Sequence, residues 1–164
     1  MAFAPPPSPP TVIIREATPA DALALESLYR QLVDDANLSV SPEQLTRLAE
    51  SSSSFLLVAE HQGTVCGTAL LNLCADAMYK AQPFGVVENV VIAAAHRGQG
   101  FGRQLMARIE EMALQQDCTK LMLLSSQART EAHAFFRSCG FHAGSKHGFV
   151  KYRRQFSAGD AARV

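Results

Sequence analysis

The stretch from Val86 to Leu124 constrains the fold more than any other part of this 164-residue chain. Val86 to Ala93 is almost wholly apolar and β-branched, interrupted only by Glu88 and Asn89, as expected of a strand covered on both faces. After a short connection, Phe101, Leu105, Ile109 and Met112 recur at helical spacing within Gly100–Gln116. Lys120–Leu124 is a second apolar strand. A strand–turn–helix–strand unit of this length is expected to close as a right-handed crossover that makes its two strands parallel.

The first half reads differently. Val12–Arg15 is a short β-like run, followed by Thr18 and Pro19, which suit the cap and first position of a helix. Leu23, Leu25, Leu28, Leu32 and Val33 then place an amphipathic helix to about Val33. Ser41-Pro42-Glu43 starts a weaker helix through Leu45 and Leu48. Phe55–Ala59 and Val65–Leu73, joined by His61-Gln62-Gly63-Thr64, predict an antiparallel hairpin. Ala75–Gly85 reads as a loop. Beyond Leu124, Thr130–Ser138 predicts a short helix ended by Gly140, and Phe141–His142 with Phe149–Arg154 are candidates for closing strands. The expected organisation is a proline-rich leader over 1–10, one α/β domain over 11–156 and a small polar tail over 157–164.

Composition narrows the partners. Lys plus Arg and Asp plus Glu each number 15, giving zero formal net charge. That balance argues against nucleic acid, whose binding leaves a basic excess. No run of about 18 apolar residues predicts a membrane span, and the leader lacks a signal peptide's basic start and apolar stretch. A cytoplasmic location is the expectation. The four cysteines, Cys66, Cys74, Cys118 and Cys139, form no CxxC pair, so free thiols are expected and no metal site.

Chemistry concentrates at Arg97-Gly98-Gln99-Gly100-Phe101-Gly102, between strand and helix. Glycines let a ligand approach the backbone and accept positive φ. The first helical N–H groups lack intrahelical partners and carry the positive end of the helix dipole, a ready site for phosphate. Neither common nucleotide motif fits: Arg103 stands where the dinucleotide fingerprint needs glycine, and no Gly-Lys-Ser/Thr follows. Glycines serving only a tight turn explain the pattern equally well on residues alone.

Three segments add a resemblance. Val91–Gly102, with Arg97, Gly100 and Gly102 after an apolar strand, resembles the main motif of the GNAT superfamily of N-acetyltransferases. Ile14–Asp21 looks like that family's first strand and helix start, and Ala132–Phe141 is similar to its late A-x-x-F-Y-x-x-x-G-F motif. The resemblance spans about residues 11–154. It implies a mixed, mostly antiparallel sheet flanked by helices and splayed between two central parallel strands, with acetyl-CoA as co-substrate in the cleft. The pantetheine arm would run beside Val90, Val91 and Ile92. The pyrophosphate would sit on backbone N–H groups from Gly98 to Arg103, taking in Gln99, Gly100, Phe101 and Gly102, with Arg97 and Arg103 as neighbours.

The implied reaction is direct attack of an amine on the acetyl thioester, which requires a base. Glu88 is the candidate, because it interrupts an apolar strand just before the cofactor-facing residues, where burial would raise its pKa. His133 is a weaker one. Tyr29, Tyr79 and His96 carry no motif beyond packing or loop roles. The late motif departs from the family at Phe136, where a tyrosine often stands to protonate the departing thiolate. A coenzyme-A-binding protein with little turnover is the alternative to an enzyme.

The expected acceptor is a small-molecule primary amine, bound by the Gln31–Ser41 connection and the Ala75–Gly85 loop. Glu88–Val91, Cys118–Lys120 and Cys139–Phe141 are similar to glucosamine-6-phosphate N-acetyltransferases, while Arg129–Phe136 looks like small bacterial enzymes acting on aminoalkylphosphonates and other small amines. These point to different amines, and Asp34, Asp35, Asp76 and Lys80 leave both charge signs available. A homodimer is left open.

Overall fold

The hairpin predicted at His61–Thr64 is the pivot of the sheet. In the computed structural model, which describes residues 11–156, strand β2 (Ser54–His61) turns into strand β3 (Thr64–Cys74) through Gln62 and Gly63. Both have positive φ, 50° and 76°, the two-residue turn whose twist matches its strands. β1 (Ile13–Glu16) pairs antiparallel with β2, and β4 (Phe84–Ile92) antiparallel with β3. β5 (Leu121–Leu123) pairs parallel with β4, completing the order β1-β2-β3-β4-β5. The leader and tail expected at 1–10 and 157–164 lie outside the described residues.

Two compact units make up the chain, dividing after Leu124. In the first, helices cover both faces of the sheet. Helices α1 (Ala22–Leu32) and α2 (Pro42–Ala49) bring Leu25 and Leu45 onto Leu56 and Val58. The alternate residue of β2, Ala59, faces the other way, with Cys66, Val12 and Phe101 of helix α3 (Phe101–Gln115). Leu105, Ile109 and Met112 are buried along α3, the stripe its sequence predicts. All four cysteines are free, and burial pushes the Cys66 thiol up.

In the second unit, helix α4 (Thr130–Ser138) ends as predicted at Gly140, whose φ of 89° only glycine takes without strain. Phe136 is buried, with Phe135 and Phe141 at ring distances of 5.3 and 6.2 Å. The closing strands expected at Phe141–His142 and Phe149–Arg154 do not form among the described residues, where Arg153–Gln155 is a short 3-10 turn. Gly144, Ser145 and Gly148 break the alternation there, and Phe149 is 92% exposed. The parallel pair β4–β5 therefore ends the strand order rather than lying at its middle.

The entry to α1 is fixed by charge. Arg15 forks onto Asp21 at 2.8 and 2.9 Å and reaches Glu60 at 2.8 Å. Thr18 stands at the N-cap position as expected, and Asp21, three residues on, takes the Thr18 N–H at 2.7 Å and its hydroxyl at 3.0 Å. Pro19 opens a 3-10 turn ahead of α1. The Arg15 guanidinium holds the Asp21 carboxyl down to about 2 from 3.8, against the upward push of burial. A depressed acid stabilises the fold above its unfolded pKa and loses that contribution as pH falls through its folded one. Half-exposed Arg15 discounts the full shift, so Asp21→Asn is expected to cost about 2 kcal/mol at pH 6. In urea melts the gap between parent and variant should close between about pH 4 and pH 2, matching the shift from 3.8 to about 2.

Candidate active site

β4 is paired unequally along its two sides. Its partner β3 runs with it from Phe84 to Ile92, whereas β5 pairs only with Gly85, Val86 and Val87. From Glu88 onward the side of β4 facing away from β3 has no strand beside it among the described residues. An extended ligand can use those backbone groups as a further strand would.

The change coincides with a bulge. Thr68 lies opposite Val91, and Leu70 opposite Glu88, so Asn89 and Val90 share the single residue Ala69. Asn89 has φ of 55°, a conformation asparagine tolerates better than most residues. The extra residue reverses the alternation. Ile92 turns toward Gly67 and the Phe101 side, where a Cβ on Gly67 would run into its Cδ1.

Glu88 is opposite Leu70, on the face covered by α1 and α2. It is half-buried and makes no side-chain hydrogen bond or ion pair among the described residues. On that face Tyr29 packs with the α1–α2 core, and the nearby Thr68 hydroxyl donates to Leu57 O at 2.7 Å. Burial raises the Tyr29 pKa and keeps it a phenol. Val91 is buried, and Val90 and Ile92 are half-buried.

The glycine turn follows directly. The Ala93 N–H donates to Cys66 O at 2.8 Å, and a 3-10 turn over Ala94–His96 leads to Arg97. Gly98 and Gly100 have φ of 75° and 83°. A Cβ on either would meet nothing within 4 Å, so conformation rather than space demands glycine there. Gly102 lies in the first turn of α3 and needs no such conformation. Arg97 Nε donates to Ile92 O at 3.1 Å, and Gln99 to Ala95 O at 3.4 Å. The Phe101 side chain is in the core, 4.9 Å from the His61 ring, so only its backbone can meet a ligand. α3 has no acid in its first turn, where Arg103 stands. The amino end of a 15-residue helix thus keeps its positive potential.

Other expected residues fall elsewhere. His133 Nε2 meets Ser126 O at 2.9 Å, fastening a loop of the second unit. Phe84 and Gly85 belong to β4 rather than to the preceding loop, which leaves Asp76, Tyr79 and Lys80 between β3 and β4. Gln31 lies in α1, and its amide oxygen accepts the Ala94 N–H, a link that no sequence pattern announces. The bulge did leave a signal: a polar Glu-Asn pair inside a β-branched run.

Comparison with known proteins bears on this arrangement. The family model described as the acetyltransferase (GNAT) family matches residues 25–141. An aminoglycoside N(6')-acetyltransferase type 1 of Stenotrophomonas maltophilia is 34% identical over 131 residues, 78% of this chain and 84% of that protein. The fold is shared with a glucosamine-6-phosphate N-acetyltransferase of Arabidopsis thaliana at TM-score 0.74 and 22% identity, covering 87% of this chain and 99% of that one. It is shared too with an aminoglycoside acetyltransferase from an uncultured soil metagenomic sample, solved with sisomicin, at TM-score 0.74 and 16% identity, covering 86% and 95%.

Gly100→Val forces a β-branched residue into left-handed backbone and should destabilise the fold by about 1–2 kcal/mol. The check is a lower urea midpoint with unchanged slope.

Proposed function

Because this chain belongs to the GNAT family of acetyltransferases, we propose that it transfers the acetyl group of acetyl-CoA to a primary amine of a small molecule. The observation that carries the reading is Glu88: a half-buried carboxylate without a partner, at the point where β4 loses its parallel neighbour. The residues present fit coenzyme A. The glycine turn and the amino end of α3 suit its diphosphate, with Arg97 and Arg103 adding charge nearby, and the uncovered side of Glu88–Ile92 suits an amide-bearing arm.

Acetyl-CoA supplies an activated acyl thioester. The protein's first task is then the amine's proton. An alkylamine with pKa about 10.4 is neutral in only about one molecule in 2,500 at pH 7. Glu88 takes that proton, directly or through a water, so that the lone pair can attack the acyl carbon. The C–N bond forms as the C–S bond breaks, and the thiolate leaves; the second proton lost by the nitrogen passes through water to the thiolate. The positive end of α3 would hold the diphosphate and so fix where the acyl group lies along β4.

The relative at 34% identity is named for aminoglycosides, which supports a polyamine-bearing or amino-sugar acceptor. Exposed Asp34 and Asp35 in the α1–α2 connection suit a cationic one. Phe136 favours a second reading, a coenzyme-A-binding protein with little turnover, since it lacks the hydroxyl often found at that point of the family motif. A thiol pKa near 8.5 makes thiolate departure without that acid cost only about 2 kcal/mol at neutral pH.

Two measurements test the proposal. Acetyl-CoA at 100 times its dissociation constant should stabilise the fold by about 2.7 kcal/mol, visible as a raised melting temperature. In an amine screen read by thiol release, Glu88→Gln should lower turnover about 10²–10⁴-fold while acetyl-CoA affinity stays near that of the parent. Absence of any melting shift would remove the coenzyme, and undiminished turnover would remove Glu88.

A further inference from the structure

The 3-10 turn Ala94–His96, which opens the glycine segment, begins without a cap of its own. Its N-cap residue, Ala93, has no side-chain acceptor, and the first N–H of any such turn lacks a partner within it. Gln31 provides one. Its Oε1 accepts the Ala94 N–H at 3.1 Å from the last turn of α1, 63 residues away in sequence. The segment's other bonds are local or run to β3, among them Ala93 N–H to Cys66 O at 2.8 Å, His96 N–H to Ala93 O at 2.8 Å, Arg97 N–H to Ala94 O at 3.4 Å and Arg97 Nε to Ile92 O at 3.1 Å. Gln31 therefore ties the helix layer to the turn.

The same end of α1 also holds the connection to α2. Arg30 donates to Leu38 O at 3.3 Å and to Glu26 at 2.8 Å, and Glu26 accepts the Val40 N–H at 3.2 Å. One helical end thus fastens the segment expected to meet the acceptor and the segment expected to meet the diphosphate.

We propose that Gln31 is a positioning residue which caps the Ala94–His96 turn from α1 and so sets the glycine segment for coenzyme A. The inference rests on the coenzyme reading given above. Gln31 acts through the Ala94 amide and touches no reacting group. Because it is exposed, its replacement leaves the core intact.

The test compares the parent with Gln31→Met, which keeps length but removes the acceptor, and Gln31→Glu, which keeps an acceptor oxygen. Ala94 amide exchange is followed by NMR, coenzyme A affinity by calorimetry, and acetyl transfer by steady-state kinetics. Loss of one hydrogen bond should weaken coenzyme A binding by Gln31→Met about three- to tenfold and speed Ala94 exchange by a similar factor. KM for acetyl-CoA should rise in parallel while kcat stays within about twofold, because only binding is affected. Gln31→Glu should return Ala94 exchange to the parental rate. Parental exchange in Gln31→Met overturns the proposal whatever the affinity does, and so does parental affinity with faster exchange. Failure of the parent itself to bind coenzyme A brings down the proposed function, and this inference with it.

Discussion

The candidate site depends on β4 being hydrogen-bonded to β3 along its length but to β5 over only three residues. A strand paired on both sides throughout would leave no backbone for a ligand, and one paired on neither would not hold a carboxylate in place. β3 supplies rigidity, and the early end of the parallel pairing supplies access. The end of the parallel pairing at Val87 is what marks Glu88–Ile92 as the candidate site.

The bulge at Asn89 turns that edge into a site with two kinds of surface. Without it, regular alternation would place Val91 on the same face as Val87. With it, Thr68 lies opposite Val91 while Leu70 lies opposite Glu88, and Ile92 packs toward Phe101. The strand can thus offer Glu88 on the α1–α2 face and, four residues on, seat the start of the glycine turn against α3. The left-handed conformation of Asn89 is the local strain that accompanies this arrangement.

Much of this was legible in the chain. Apolar periodicity located α1, α2, α3 and α4 within a residue or two, because each buries one face, and Gln62-Gly63 fixed the hairpin through its demand for positive φ. The glycine turn was legible for the same reason: Gly98 and Gly100 adopt backbone that other residues resist. The late strands expected at Phe141–His142 and Phe149–Arg154 do not form among the described residues, because strand formation needs a pairing partner in register, which a short local pattern does not contain. Thr18 and Pro19 take the cap and first positions their sequence suggests, in the 3-10 turn that runs into α1. That Asp21 takes the Thr18 N–H depends on where Arg15 holds Asp21, and so on β1 meeting β2.

Local chemistry therefore determined the elements, the crossover and the segment suited to an anion, since these follow from periodicity, glycine φ and the unpaired ends of helices. Tertiary structure decided three things that no window of sequence contains. It set how far β5 accompanies β4, it chose the face on which Glu88 emerges, and it brought Gln31 to Ala94 across 63 residues. Each is a relation between elements fixed only when the sheet and its two helical layers pack together, because register and approach depend on every side chain between them.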